Sequence, residues 1–310
     1  MELRKLGIQG PSVSLLGLGC NNFGRRIGFE DSVPVVEKAL EVGVNFFDTA
    51  DTYGEGLSEE WLGRILGPRR KSVIIATKFG MSMPAGSGAS PRYVARAAEA
   101  SLKRLGTDWI DLYQLHRPDP ATPIEDTLGA MDKLVRDGKV RQIGCTYLDG
   151  AEYLAARAAA ERKKLHPFTT CQNEYNLLVR GIERDLVPAI EKTGAGFMPY
   201  LPLAGGFLTG KYRRGADLPK DSRFAKVRWQ AGQVMSERNW RMLAKLEEFC
   251  AARGRSLIEL AMSWLAQRPF VTTIIAGATK AEQVEGNLRA LSWKLSAEEL
   301  AEIDRLTLTP

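Results

Sequence analysis

Four side chains in the N-terminal half carry chemistry that their neighbours do not: Asp48, Tyr53, Lys78 and His116. Each stands at or just beyond the end of a short apolar run. VNFFD (44–48) ends on Asp48 with Thr49, Asp51 and Tyr53 following; SVIIATK (72–78) ends on Lys78; WIDLYQLH (109–116) ends on His116. A phenol is an acid of pKa about 10, too weak for efficient proton donation near neutrality, and an adjacent ammonium favours the phenolate and lowers that value. Lys78 beside Tyr53 would do this, and Asp48 would hold Lys78 in place and charged. Singly, each residue has an ordinary explanation: Asp48 as a cap or ion-pair partner, Tyr53 as packing, Lys78 as a snorkelling amine, His116 as a satisfied core residue. Together they make a proton-donating constellation.

Such a group needs elements that bring three consecutive strand ends to one rim. Short apolar runs alternate with amphipathic segments along the chain, the pattern of parallel strands and covering helices. Eight strands are predicted: LLGLG (15–19), VNFFD (44–48), SVIIATK (72–78), WIDLYQLH (109–116), VRQIGC (140–145), FTTCQNE (168–174), GFMPYL (196–201) and TTIIAG (272–277). Ser90-Pro91 opens a helix that Gly106 closes, and capping boxes are expected at Thr122/Glu125 (helix ending at Gly138), Ser256/Glu259, Thr279/Glu282 and Ser296/Glu299. The expected fold is α/β, a (β/α)8 TIM barrel, rather than an open doubly wound sheet. Residues 2–14, with turn signals at Gly7 and Gly10-Pro11, are expected to form an N-terminal β-hairpin closing the barrel floor. No internal repeat or linker divides the chain, so a single domain over 1–310 is expected.

Composition narrows the function. Hydrophobic residues make up 44% and charged residues 26% of the 310, enough for a large core. No apolar run is long enough for a membrane span, and MELRKLGIQG lacks the apolar stretch of a signal peptide, so a cytoplasmic, non-membrane protein is expected. The four cysteines, Cys20, Cys145, Cys171 and Cys250, are scattered and read as reduced thiols; with only two histidines, His116 and His166, no metal site is expected. The net charge of +6 is as compatible with a phosphorylated small molecule as with nucleic acid. The long irregular stretch 211–235 opens with the basic KYRRGADLPKDSRFAKVR, which reads either as a solvated loop or as a lid over an anionic ligand.

VNFFDTADTYG (44–54), IIATKFG (74–80) and DLYQLHRPD (111–119) resemble the signature segments of the aldo-keto reductase family, and the resemblance extends over nearly the whole chain. It implies a (β/α)8 barrel with a catalytic tetrad at Asp48, Tyr53, Lys78 and His116, an NADPH/NADP cofactor, and reduction of an aldehyde or ketone. YLPLAGGFLTGKY (200–212) resembles the family's pyrophosphate loop, implicating Tyr200, Leu201, Leu203, Gly205 and Lys211, with Tyr200 against the nicotinamide. IIAGATKAEQVEGN (274–287) resembles its adenosine segment, implicating Gly277, Thr279, Lys280, Gln283 and Asn287; Lys280 would favour NADPH over NADH, though a lysine in a first helical turn is otherwise a plain surface residue. Barrel phosphate sites are independently expected after strands seven and eight. The segment around Gly19 would line the nicotinamide and substrate mouth, and Phe23, Tyr147 and Trp229, with Tyr53 and His116, form the expected substrate wall.

The resemblance is imperfect at the nicotinamide. A Ser-Asn pair common in the family is here Thr146-Tyr147, where the hydroxyl survives but the paired amide donor and acceptor do not; Gln172, expected at the same carboxamide, is retained. Leu201 replaces a common serine. Two other motifs fail: Gly205–Lys211 fits G-x-x-x-x-G-K, but Tyr212 stands where magnesium would need Ser or Thr, and Gly17-Leu-Gly19 lacks the third Rossmann glycine. A cofactor-sensing, non-catalytic module like the family's potassium-channel β subunits is the alternative reading, with a nucleic-acid binder using 211–228 less supported for want of a recognition module. The expected partner is a small carbonyl compound; a homo-oligomer is compatible with a sequence that does not fix the oligomeric state.

Overall fold

The computed structural model describes residues 1–220 and 222–308. Eight parallel strands close into a barrel: β3 (Leu16–Gly19), β4 (Phe46–Asp48), β5 (Ile74–Phe79), β6 (Ile110–Leu115), β7 (Val140–Thr146), β8 (Thr170–Glu174), β9 (Gly196–Tyr200) and β10 (Ile274–Gly277), the last pairing back onto β3. All eight predicted strands are present, most trimmed by a residue or two at their ends. The fold is thus a (β/α)8 barrel preceded by an antiparallel hairpin, β1 (Leu3–Lys5) and β2 (Ser12–Ser14).

The hairpin's position follows from its apolar residues. Leu6 and Val13 are fully buried in one small cluster with Phe46, Ala76, Leu112, Met198 and Ile275, which point inward from five barrel strands. Such side chains fill the barrel axis, so it is a packed core and not a pore. The larger core lies outside the barrel, between its outer face and the helices, and includes Phe47, Ile75, Tyr113, Ile143 and Phe197 from alternate strand positions. Cys145 and Cys171 face each other there across paired strands, Sγ to Sγ 3.7 Å; all four cysteines are buried thiols.

The covering helices are α1 (Phe29–Glu41), α2 (Leu57–Leu66), α3 (Pro91–Leu105), α4 (Ile124–Arg136), α5 (Gly150–Lys163) and α6 (Leu186–Thr193). After β9 come α7 (Arg223–Lys226), α8 (Arg228–Val234), α9 (Glu237–Ala251) and α10 (Leu257–Ala266), and after β10 come α11 (Ala281–Arg289) and α12 (Ala297–Leu308). No helix among the described residues is long and apolar enough to cross a membrane. Capping boxes form at Ser256/Glu259 and, by reciprocal bonds, at Ser296/Glu299. Two expected boxes do not form. Thr122 donates instead to Asp119, leaving Pro123 at the N-cap of α4, and the Thr279 hydroxyl turns to Gln283, leaving Lys280 at the N-cap of α11. In both, donation to a side-chain acceptor draws the hydroxyl away from the free N–H groups of the helix terminus, which it would otherwise accept from. A box that sequence reading overlooked, Asp149/Glu152, opens α5. The stretch 211–235 is more regular than expected, since α7 and α8 both lie within it.

Candidate active site

Two residues further along the same inward-facing stripe, the barrel changes character. Asp48 follows Phe46, Lys78 follows Ala76, Gln114 follows Leu112 and Tyr200 follows Met198 at the strands' C-terminal ends, where barrels of this architecture carry their sites. Asp48 and Lys78 are buried and ion-paired at 2.7 Å. The second Asp48 oxygen accepts from Gln172 Nε2 at 2.9 Å and Gln114 Nε2 at 3.4 Å, so this carboxylate is held from both sides.

The loop carrying Tyr53 is tied along β5. Thr49 N donates to the Ala76 carbonyl, Asp51 N to the Lys78 carbonyl, and Lys78 Nζ returns a bond to the Thr49 carbonyl at 2.9 Å. Ser58 on α2 pins the same loop through Thr49 Oγ1 at 2.8 Å. These bonds put the Tyr53 hydroxyl 3.5 Å from Lys78 Nζ. The His116 ring meets the Tyr53 ring edge-on, centroids 5.9 Å apart, and its Nδ1 is buried without a hydrogen-bond partner.

Electrostatics at this point depart from the simplest expectation. Lys78 does pull the Tyr53 phenol toward ionisation, but burial pushes harder the other way, and the net direction is up from the ordinary value. Lys78 itself is held above its ordinary value: burial favours the neutral amine, but Asp48 and Tyr53 together outweigh it. His116 is driven well below the usual imidazole range by burial first and then by the charges of Lys78, Arg117 and Arg25. The site therefore holds a neutral phenol, a charged ammonium and a neutral imidazole at neutral pH.

Behind Tyr53, burial and the neighbouring Glu59 raise the Asp51 carboxyl to about 7. Glu59 itself takes Arg104 Nε at 2.6 Å and the Thr77 hydroxyl at 2.5 Å.

These groups open into a cleft of about 900 Å³, at the upper end of the range for ligand sites. Of the residues expected to touch a cofactor, Gly19, Gln172, Tyr200, Leu201, Leu203, Gly205, Lys211, Gly277, Thr279, Gln283 and Asn287 line it. Two do not. The Thr146 hydroxyl is committed to the His116 carbonyl inside the wall, and Lys280 is exposed beside the cleft. Of the expected substrate wall, Tyr53, His116, Tyr147 and Trp229 line the cleft, with Trp229 65% exposed. Phe23, expected in the same wall, does not line the cleft: it stands in a tight turn in which its N–H bonds the Cys20 carbonyl, and its ring is fully buried in the outer core.

The far part of the cleft is a glycine-lined turn, Ala204–Thr209, after β9. Gly205 and Gly206 have φ of +68° and +93°, and a Cβ on them would lie 2.6 Å from the Phe224 ring and 2.7 Å from Lys211 Nζ. A loop that brings its bare backbone against a lysine amine suits close approach by a phosphate. Arg26, Lys211 and Arg223 gather there, the charge of Arg26 bearing on both others. Three non-glycine residues in the left-handed region, Tyr147 (+63°), Leu201 (+53°) and Ala204 (+46°), also line the cleft, a concentration of backbone strain typical of ligand sites.

Sequence reading missed Arg25, Arg26, Gln114, Arg117 and Arg223 as lining or supporting residues. Gln114 was findable: it is paired in register with Lys78 on the inward stripe. Arg223 lay inside the basic stretch already considered as a lid.

A parallel barrel whose polar mouth joins a phenol, an ammonium and a carboxylate to a glycine-lined cationic cleft defines a class of oxidoreductase-like sites. The chain belongs to the aldo/keto reductase family, whose model matches residues 15–307. It is similar to L-glyceraldehyde 3-phosphate reductase of Escherichia coli (strain K12), 36% identical over 98% of this chain and 92% of that protein. It is also similar to a probable aldo-keto reductase 1 of Glycine max (36%; 96% and 87%) and a probable voltage-gated potassium channel subunit beta of Arabidopsis thaliana (35%; 94% and 91%). Family and reductase-named relatives together support an oxidoreductase.

Proposed function

We propose that the protein is a single-domain, cytoplasmic, NADPH-dependent reductase that converts aldehydes or ketones to alcohols, with Tyr53 as the general acid. The observation that carries this reading is the Tyr53 hydroxyl 3.5 Å from a lysine amine that is itself ion-paired with Asp48, at the mouth of a cleft whose other end is cationic and glycine-lined. The residues fit the cofactor: Gly205, Gly206, Lys211 and Arg223 would hold its phosphates, Thr279, Gln283 and Asn287 its adenosine end, and Tyr200 and Gln172 its nicotinamide. The bound cofactor supplies a hydride to the carbonyl carbon.

The rest of the chemistry belongs to the chain. Tyr53, kept protonated by burial, donates its proton to the carbonyl oxygen as negative charge develops there. Lys78 stabilises the phenolate that results, and Asp48, held by Gln172 and Gln114, keeps the ammonium in place. His116, neutral, orients the same oxygen by hydrogen bonding without adding a charge.

The test is consumption of NADPH, followed by its absorbance, with a panel of aldehydes and ketones, and with NADH in parallel. Turnover that disappears in Tyr53→Phe is expected. Tight NADPH binding with no turnover on any carbonyl would transfer the assignment to the cofactor-sensing reading, which the channel-subunit relatives motivate.

A further inference from the structure

Five cationic side chains among the described residues line the cleft, and not all of them sit against the phosphate loop. Arg26, Lys211 and Arg223 gather at the glycine turn. Arg25 and Arg117 lie instead against the Tyr53 and Tyr147 rings, the charge of Arg25 reaching Arg223 as well. The Arg25 guanidinium is 5.6 Å from the centre of the Tyr53 ring and donates from Nη2 to the Thr52 carbonyl at 2.8 Å. That of Arg117 lies 4.1 Å from the centre of the Tyr147 ring, which in turn leans on Tyr200 at 5.5 Å. They rise from loops after different strands, β3 and β6, and both charges act on His116.

Neither makes an ion pair among the described residues, although arginines elsewhere on this molecule usually find a carboxylate. Among the described residues, the carboxylates lining the cleft do not neutralise them. Asp48 is spent on Lys78, and burial pushes Glu174 toward its neutral form. Placement over an aromatic ring restricts the rotamers of both guanidiniums, and Arg25 keeps N–H groups beyond the one given to the Thr52 carbonyl, so less freedom is lost when an anion arrives. A phosphate or carboxylate is what this planar fork matches in two-point hydrogen bonding.

We propose that Arg25 and Arg117 form an anion clamp for the substrate, so that the preferred carbonyl compound carries a phosphate or carboxylate a few bonds from its reacting carbon. This rests on the reductase reading given above and narrows it. The clamp fixes the anionic end over the rim while the carbonyl reaches Tyr53 and His116, and the same two charges draw anionic substrates toward the mouth.

Matched pairs of aldehydes test it: glyceraldehyde 3-phosphate against glyceraldehyde for the phosphate, and 4-carboxybenzaldehyde against benzaldehyde for the carboxylate. In the unmodified protein, kcat/KM should favour the charged member of at least one pair by about tenfold or more, and the preference should shrink toward about 1 M salt. Arg25→Ala and Arg117→Ala should each cut that ratio several-fold, mainly through KM, and the double variant should abolish it. Arg117→Lys, which keeps the charge but not the fork, should retain part of it. Equal use of charged and neutral aldehydes by the unmodified protein, or a ratio that survives the double variant, overturns the clamp.

Should no aldehyde be reduced, the reductase reading fails by itself. The clamp is then decided by calorimetric titration with 3-phosphoglycerate and 4-(hydroxymethyl)benzoate in excess NADP. Binding of either that disappears in the double variant upholds it, and absence of binding, or binding indifferent to both arginines, removes it.

Discussion

The floor and the mouth of this barrel are built from the same strands, two residues apart, and they do opposite things. At the floor, Phe46, Ala76, Leu112 and Met198 meet Leu6 and Val13 of the hairpin in a dry apolar plug. At the mouth, the next inward residues are Asp48, Lys78, Gln114 and the half-buried Tyr200, and the first three are buried almost as deeply but bonded through Asp48. Burial stabilises the first layer and is costly to the second, which is tolerable because the ion pair and amide bonds offset desolvation. One layer stabilises the barrel, and the other holds the polar groups on which the proposed chemistry depends.

Substitutions in the two layers should therefore separate rate from stability. The largest effect is expected from Tyr53→Phe: kcat for carbonyl reduction should fall by about two to four decades while thermal unfolding stays almost unchanged. Full activity in this variant would remove Tyr53 from the chemistry. At the floor, Leu112→Ala should lower unfolding free energy by about 2–5 kcal/mol in urea titration, with kcat of the folded fraction changed only a few-fold. A kcat loss comparable to that of Tyr53→Phe would mean that floor and mouth are not independent.

Acid and base should expose the mouth's electrostatics. His116 is neutral in the native state well below its ordinary range, so reduction should show no break attributable to it between pH 6 and 8; a sigmoid centred near 6.5 would contradict its burial. The same depression means that an unfolded chain takes up a proton below about 6.5 that the native site refuses, so this group erodes stability as the solution becomes more acidic. Because burial raises Tyr53, alcohol oxidation, which needs the phenolate, should climb with pH beyond about 10, while reduction persists until that proton is lost.

Asp51 gives the smallest and oppositely signed effect. The native state keeps its proton up to about 7, whereas an unfolded chain releases it near the ordinary aspartate value, so its contribution is full in acid and lost as pH rises through 7. Asp51→Asn should raise Tm at pH 8 by about 2 °C or more relative to the parent, with the gain fading below pH 4. An equal gain at both pH values would show that the side chain's charge is not the cause.

Much of this was legible from residue order. Short apolar runs alternating with amphipathic segments, together with turn residues, defined eight strands and a hairpin, and the apolar-to-polar change at strand ends marked Asp48, Lys78 and His116. Local competition was not legible: whether Thr122 or Thr279 caps a helix depends on Asp119 and Gln283 lying nearer, and whether Phe23 faces ligand or core depends on one turn of backbone. The sign of the Tyr53 shift was also hidden, since a sequence reveals that an ammonium is available but not how much water is excluded around the phenol.

By itself, then, the sequence determined the alternation of strands and helices and the kinds of group available for chemistry, because periodicity and residue type are properties of the chain. Tertiary structure alone decided that a phenol and an ammonium 25 positions apart meet at 3.5 Å, and that the charges of Arg25 and Arg117 act on one imidazole from separate loops. Closure of the barrel sets those distances, and it depends on the register of all eight strands at once.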